Sequence, residues 1–242
     1  DKSQIFQTVL ALKSDTPIYA AIAPSFVKQF GDKVSPAQVR AALKAVGFED
    51  MVEVAIGADL CAVQEANDFL EEVPEHQKWM GTSCCPAWSV MAKKTYPEHA
   101  GYISMSLTPM VLTGRMIKKQ HPDCKVVFIG PCAAKKLEAS RRSVRSDIDF
   151  VLTFEEMAGV FDAKGIDFDK LEVEESLQTS SSLGKGFAAS GGVAAAVVNA
   201  IHCIDPEMEV KTVKAEGLSE CKKMLAMAKA GRYDGYLLEG MA

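Results

Sequence analysis

The stretch KVVFIGP, residues 125–131, decides the fold. It sets four apolar residues in a row, Val126 to Ile129, between a lysine and the pair Gly130-Pro131. A run this short, with no polar alternation, predicts a parallel strand buried on both faces. Upstream, IYAAIAP (residues 18–24) is a second apolar run that stops at a proline and reads as another buried strand. Ser35-Pro36 predicts a helix start, with an N-cap hydroxyl and a proline in the first turn. Val39, Leu43 and Val46 then share one helical face, and Gly47 suits the C-cap. Residues 51–56 predict a strand, and Asp59 is read as the cap of a helix reaching about Glu72. Downstream, residues 149–153 read as strand, 154–161 as helix, the alanine-rich segment after Gly191-Gly192 as helix, 222–229 as helix and 233–239 as strand. Strands alternating with helices predict an α/β protein with parallel sheets. The expected division is into two lobes, 1–124 and 125–242, each a mostly parallel sheet flanked by helices.

Composition narrows the chemistry. The chain has 242 residues, 48% hydrophobic and 24% charged, with a net charge of −5. That balance suits packed domains and argues against nucleic-acid binding, which needs a basic face to neutralise phosphates. The first residues carry no cationic-then-apolar export signal and no initiator Met, which suggests a fragment or a processed start. Residues 186–204 are small and apolar, but the glycine pair Gly191-Gly192, Ser190, Asn199 and His202 interrupt them. A buried helix is expected there rather than a membrane span. Seven cysteines without an export signal favour reduced thiols or metal ligands over disulfides, and hence the cytoplasm.

Two cysteine segments follow short apolar runs, where sites form beyond the carboxyl ends of parallel strands. Cys84 and Cys85 are adjacent, a spacing that strains a disulfide and makes a poor chelate for one metal. Division of labour between a ligand thiolate and a second thiol is one reading, and ordinary buried cysteines are the other. Pro86 begins a stretch suited to a helix, whose N-terminal dipole would favour a thiolate. Cys132 ends the 125–131 strand, with Lys135 three residues on, a soft ligand beside a fixed positive charge. Cys124, Cys203 and Cys221 show no ligand spacing and suit packing. His76, His99, His121 and His202 are isolated.

Taken together, TSCCPAW (82–88) and PCAAKKLEA (131–139) resemble the first two signature motifs of the catalytic domain of iron-only (FeFe) hydrogenases. IAPS (22–25), GADL (57–60) with Glu65, and SGGV (190–193) extend the likeness along the chain. LEGMA (238–242) is similar to the start of the third motif, whose next residue would be a cysteine. The resemblance implies a 4Fe–4S cluster joined to a diiron subsite, together the H-cluster, held between the two lobes. By motif position, Cys85 and Cys132 look like two of four cubane ligands, the others falling beyond Ala242. The cofactor would then be absent or incomplete in this chain, and the chain inactive by itself.

The resemblance further implies that Cys84 is the proton-transfer thiol and that Glu65, Ser104 and Asp68 relay protons onward. It implies that Lys135, Ala23, Pro24 and Ser25 contact cyanide ligands of the diiron unit and that Met241 lines the site. Reversible cleavage of H2 is the implied reaction. The implied partners are H2, protons, a ferredoxin-like electron-transfer domain or protein, and hydrogenase maturation proteins, with neither nucleic acid nor membrane among them. Several residues depart from the family pattern. Asp68 replaces a glutamate, Gly130 a methionine, Cys61 a threonine, and Thr108 and Met110 change a further segment. These changes fit a divergent, slow, sensory-type member. The alternative is a non-enzymatic hydrogenase-like protein of iron–sulfur assembly or electron transfer, against which the intact Cys84-Cys85 pair counts.

Overall fold

The computed structural model describes residues 2–174 and 180–242. The chain runs through α1 (Ile5–Leu12), β1 (Ile18–Ile22), α2 (Pro36–Val46), β2 (Asp50–Glu53) and α3 (Ala55–Glu72). It continues through β3 (Met80–Gly81), α4 (Pro86–Thr95), α5 (Pro109–Gln120), β4 (Lys125–Gly130), α6 (Ala134–Ala139), β5 (Phe150–Thr153) and α7 (Phe154–Ala163). It ends with α8 (Ser182–Gly186), α9 (Gly192–Ile204), β6 (Lys211–Glu216), α10 (Gly217–Lys229) and β7 (Tyr236–Met241).

The chain forms two compact units, and the boundary expected near Lys125 is not where it divides. One unit joins Asp1–Gly57 to Met110–Ser180, and the other joins Ala58–Pro109 to Ser181–Ala242. The reason lies in strand pairing. β4 is as apolar as β1 and pairs with it directly, Ile18 opposite Lys125 and Ile22 opposite Ile129, so the 125–131 strand belongs with the N-terminal strands. A contiguous reading of the sequence cannot see that a middle segment has been inserted between partners.

In the first unit the sheet order is β2-β1-β4-β5, every pair parallel. β4 is buried along all but its first residue, as its unbroken apolar run requires. α2 starts with a capping box: Ser35 Oγ accepts the Gln38 amide and the Gln38 side chain accepts the Ser35 amide. Gly47 ends that helix at φ 121°, a backbone conformation that disfavours side chains. α7 is capped in the same way by Thr153 and Glu156.

In the second unit the order is β3-β7-β6, again parallel. β7 is the middle strand, and its alternation sends Leu237 and Leu238 to opposite faces. Leu237 packs with Ala62, Ala66 and Phe69 of α3 and with Val197 and Ile201 of α9. Leu238 packs with Trp88 and Ala92 of α4 and with Met224 and Leu225 of α10. The α/β class with helices on parallel sheets is therefore as expected.

Local differences remain. Asp59 lies inside α3, which begins at Ala55, and instead of capping it accepts the backbone amide and hydroxyl of Ser181. The 51–56 strand is shorter, ending at Glu53, because α3 takes over two residues later. β3, two residues long, and β6, lysine-bearing and mostly exposed at the sheet edge, carry too little apolar pattern to be read from sequence. No helix among the described residues is long and apolar enough to cross a membrane, and residues 192–204 form the helix expected of them.

Candidate functional site

In the first unit the chain leaves β1 for β2 on one side and reaches β4 on the other. The carboxyl ends of β1 and β4 thus flank the point where strand order reverses, the position where open parallel sheets leave a crevice. Ala23 continues from β1, its amide donating to the Ile129 carbonyl at 2.8 Å, and Pro24–Phe26 forms a single 3-10 turn. Pro131 and Cys132 continue from β4. Cys132 is half-buried, and its carbonyl accepts the Lys135 amide at 3.2 Å, opening the turn that leads into α6. The structure therefore brings Ala23, Pro24, Ser25, Cys132 and Lys135 to one end of one sheet.

Lys135 Nζ lies 2.7 Å from Glu138 Oε2, with the two side chains only 12% and 4% exposed. A largely buried carboxylate needs a cation, so the fixed charge near Cys132 is part of a pair. Gly130 has a clear packing reason. A Cβ there would stand 2.6 Å from Phe128 Cε1 and 3.2 Å from Ala23 Cβ. Phe128, two residues earlier on the same strand face, already fills the space.

In the second unit Thr82–Cys85 leaves the carboxyl end of β3. The Thr82 amide donates to the Leu238 carbonyl at 2.9 Å, and the Thr82 carbonyl accepts Trp88 Nε1 at 3.1 Å. Cys85 is the N-cap of α4, with Sγ 3.8 Å from the Ala242 carbonyl oxygen. Cys84 and Cys85 are both half-buried, and none of the chain's cysteines is in a disulfide. Met241 ends β7 and is 37% exposed.

Glu65 is completely buried on α3, and its Oε1 accepts the Ser83 amide at 2.7 Å. Burial pushes its carboxyl up to about 7 and the Asp68 charge adds to that, while the Ser83 amide and the nearby Ser83 and Ser104 hydroxyls oppose it. Asp68, one helical turn on, is half-buried. Its Oδ2 accepts Ser104 Oγ at 3.3 Å and Ser106 Oγ at 2.7 Å, and its Oδ1 accepts Gln64 Nε2 at 2.9 Å. Glu65, Ser104 and Asp68 are thus neighbours, and Glu65 touches the residue before Cys84.

Sequence reasoning passed over Ser83, Ser106 and Glu239. Glu239 is 2% exposed and accepts the Gly191 and Ala194 amides at 2.8 and 2.7 Å, covering the N-terminus of α9. The acidic residue at the start of the third motif was its available signal. Ser83 and Ser106 act through local geometry that no spacing rule reveals.

The chain's residues match the implied iron–sulfur and diiron group in kind, not in number. Among the described residues, Glu65 Oε2, Thr82 Oγ1 and Ser83 Oγ are buried polar atoms without a hydrogen bond of good geometry, clustered around the Cys84 segment, where a polar group or water could satisfy them. Cys85 and Cys132 offer soft ligands. No cluster of three or more His, Cys, Asp or Glu residues arranged to hold a metal occurs among the described residues, whereas a cubane takes four thiolates.

The family model described as "Iron only hydrogenase large subunit, C-terminal domain" matches residues 16–242. Iron hydrogenase 1 of Clostridium pasteurianum is 28% identical over 92% of this chain and 42% of its own length. The NADP-reducing hydrogenase subunit HndD of Solidesulfovibrio fructosivorans is 28% identical over 100% of this chain and 44% of its own. The cytosolic Fe-S cluster assembly factor NAR1 of Kluyveromyces lactis is 29% identical over 60% of the chain and 33% of its own. The chain therefore spans less than half the length of these curated relatives. Among solved structures, the apo [FeFe]-hydrogenase HydA1 from Chlamydomonas reinhardtii, variant C377H, shares the fold with a TM-score of 0.83 at 20% identity, over 100% of this chain and 82% of the other. With a family match across nearly its whole length, the chain belongs to the family of C-terminal domains from the large subunits of iron-only hydrogenases.

Proposed function

We propose that this chain is a hydrogen-activating domain whose own residues hold and move the proton of reversible H2 cleavage. The supporting observation is Glu65: a fully buried carboxyl held up to about 7, bonded to the residue beside Cys84, with Ser104 and the half-buried Asp68 next to it. A general acid and base works best when its pKa lies near the operating pH, and burial provides that here. In this reading a proton is held at Cys84 Sγ, accepted by Glu65 and passed by the Ser104 hydroxyl to Asp68. Cys85 and Cys132 are the assigned iron–sulfur thiols, and Ala23, Pro24, Ser25, Lys135 and Met241 the assigned pocket residues. When bound, the diiron group would supply the redox centre.

Electron delivery by a ferredoxin-like partner, loading by maturation proteins and residence in the cytoplasm belong to the same proposal. So does a slow, sensory type of turnover, motivated by Gly130 and Asp68. The similarity to NAR1 keeps an iron–sulfur assembly role as the contrasting outcome.

The test is made on the full-length gene product: anaerobic cubane reconstitution, then maturation with a synthetic diiron complex, read by infrared spectroscopy under H2. Carbonyl and cyanide bands that shift with H2 are expected, and turnover well below that of bulk hydrogenases would mark the sensory type. A reconstituted cubane without such bands would move the protein to the assembly class.

A further inference from the structure

Asp68 is one methylene shorter than the glutamate the family pattern leads one to expect, and its contact with Ser104 is correspondingly long at 3.3 Å. Two other donors grip the same carboxylate. Ser106 Oγ donates to Oδ2 at 2.7 Å, and Gln64 Nε2 donates to Oδ1 at 2.9 Å from the preceding turn of α3. Ser106 is also tied to Ser104 itself, its amide donating to Ser104 Oγ at 3.1 Å. Ser104 Oγ therefore accepts from Ser106 and donates to Asp68, while both hydroxyls converge on one oxygen. Ser104 is in turn anchored through its amide to the Gly81 carbonyl at 2.8 Å, at the end of β3.

We propose that Ser106 is a positioning residue of the proton path, clamping the short Asp68 side chain within reach of the Ser104 hydroxyl so that a glutamate is not needed there. The inference rests on the relay reading above. A freely rotating aspartate at a half-buried helix position would otherwise spend its time among solvent rotamers, and a hydroxyl donor to a charged acceptor is the stronger kind of hydrogen bond. Gln64 completes the clamp from the other oxygen but lies on the exposed helix face, so Ser106 carries the larger part.

The clamp can be read without a metal. Asp68's charge helps to hold Glu65 high, behind the larger effect of burial, so an Asp68 that swings away should let Glu65 titrate lower. Carbon-13 carboxyl NMR on the whole chain gives the Glu65 midpoint directly. Ser106→Ala is expected to lower it by roughly half a pH unit, and Ser106→Thr, which keeps the hydroxyl, to leave it in place. Asp68→Glu in the Ser106→Ala background should restore it by its longer reach, and Gln64→Ala should lower it less than Ser106→Ala. An unchanged midpoint in Ser106→Ala, or an equal fall in Ser106→Thr, overturns the proposal. Should the matured protein show no H2-sensitive infrared bands, the hydrogenase reading fails, while the midpoint still decides whether the clamp exists.

Discussion

Gly240 of β7 packs against the indole of Trp88, and a Cβ at position 240 would stand 2.1 Å from Trp88 Cδ2. Trp88 cannot yield, because it is fully buried and its Nε1 donates to the Thr82 carbonyl at 3.1 Å. The last residue of the TSCCPAW motif and the glycine of LEGMA therefore specify each other, which fixes how closely the end of β7 approaches the segment carrying Cys84 and Cys85.

Gly240→Ala should accordingly destabilise the chain by about 3 kcal/mol or more, since overpacking against an immobile ring exceeds the usual cost of an added methyl. Trp88→Phe, by relieving the collision, should lower the cost of the alanine in a double-mutant cycle measured by urea unfolding. Additive losses would show that the two residues are not coupled.

Stability should fall as pH rises through the range set by Glu65. Its folded midpoint of about 7 lies above the usual 4.5, so between those values the folded chain binds more protons than the unfolded chain. The contribution is on the order of 3 kcal/mol, present below about pH 4.5 and lost above about pH 7. Glu65→Gln should remove this component, so that the variant overtakes the parent in urea midpoint at about pH 8. A variant with the parent's pH dependence would show that Glu65 is not the titrating group.

Glu239 caps α9 from another strand, one carboxylate accepting two amides in a buried setting. Its pKa is raised, mainly by burial, which the two amides oppose. Glu239→Ala strands both amides and should cost about 2–3 kcal/mol. Hydrogen exchange should speed up at Gly191 and Ala194 before it does elsewhere in α9. Unchanged exchange there would mean that the cap contributes nothing to the helix start.

Gly130 and Phe128 form a second packing pair. Gly130→Ala should cost about 1–3 kcal/mol, because the added Cβ meets the phenyl ring 2.6 Å away. In a Phe128→Ala background the same change should cost clearly less, the tight 3.2 Å approach to Ala23 Cβ remaining, as measured by thermal unfolding. A full cost in both backgrounds would place the clash elsewhere.

Elements whose sequence carries its own signal were legible in advance. β1 and β4 announced themselves as unbroken apolar runs, and α2 by Ser35-Pro36 at one end and Gly47 at the other. Cys132 could be placed at a strand end for the same reason, because the apolar run before it stops at Gly130, whereas the two-residue β3 before Cys84 and Cys85 could not be read. Glu65 and Asp68 could be set on one helix face from their spacing of three. Everything that depends on partners distant in sequence was hidden. The pairing of β4 with β1 moved the division of the chain away from residue 125, and an edge strand as polar as β6 gained its place only from β7.

The sequence by itself determined the class of fold and the family, because periodicity, caps and motif wording are local properties. Only the tertiary structure decided that Glu65 is buried enough to titrate near 7, that Lys135 is paired with Glu138, and that Ser106 grips Asp68. Burial, ion pairing and hydrogen-bond geometry depend on what the rest of the chain brings alongside, and no residue type or spacing encodes that locally.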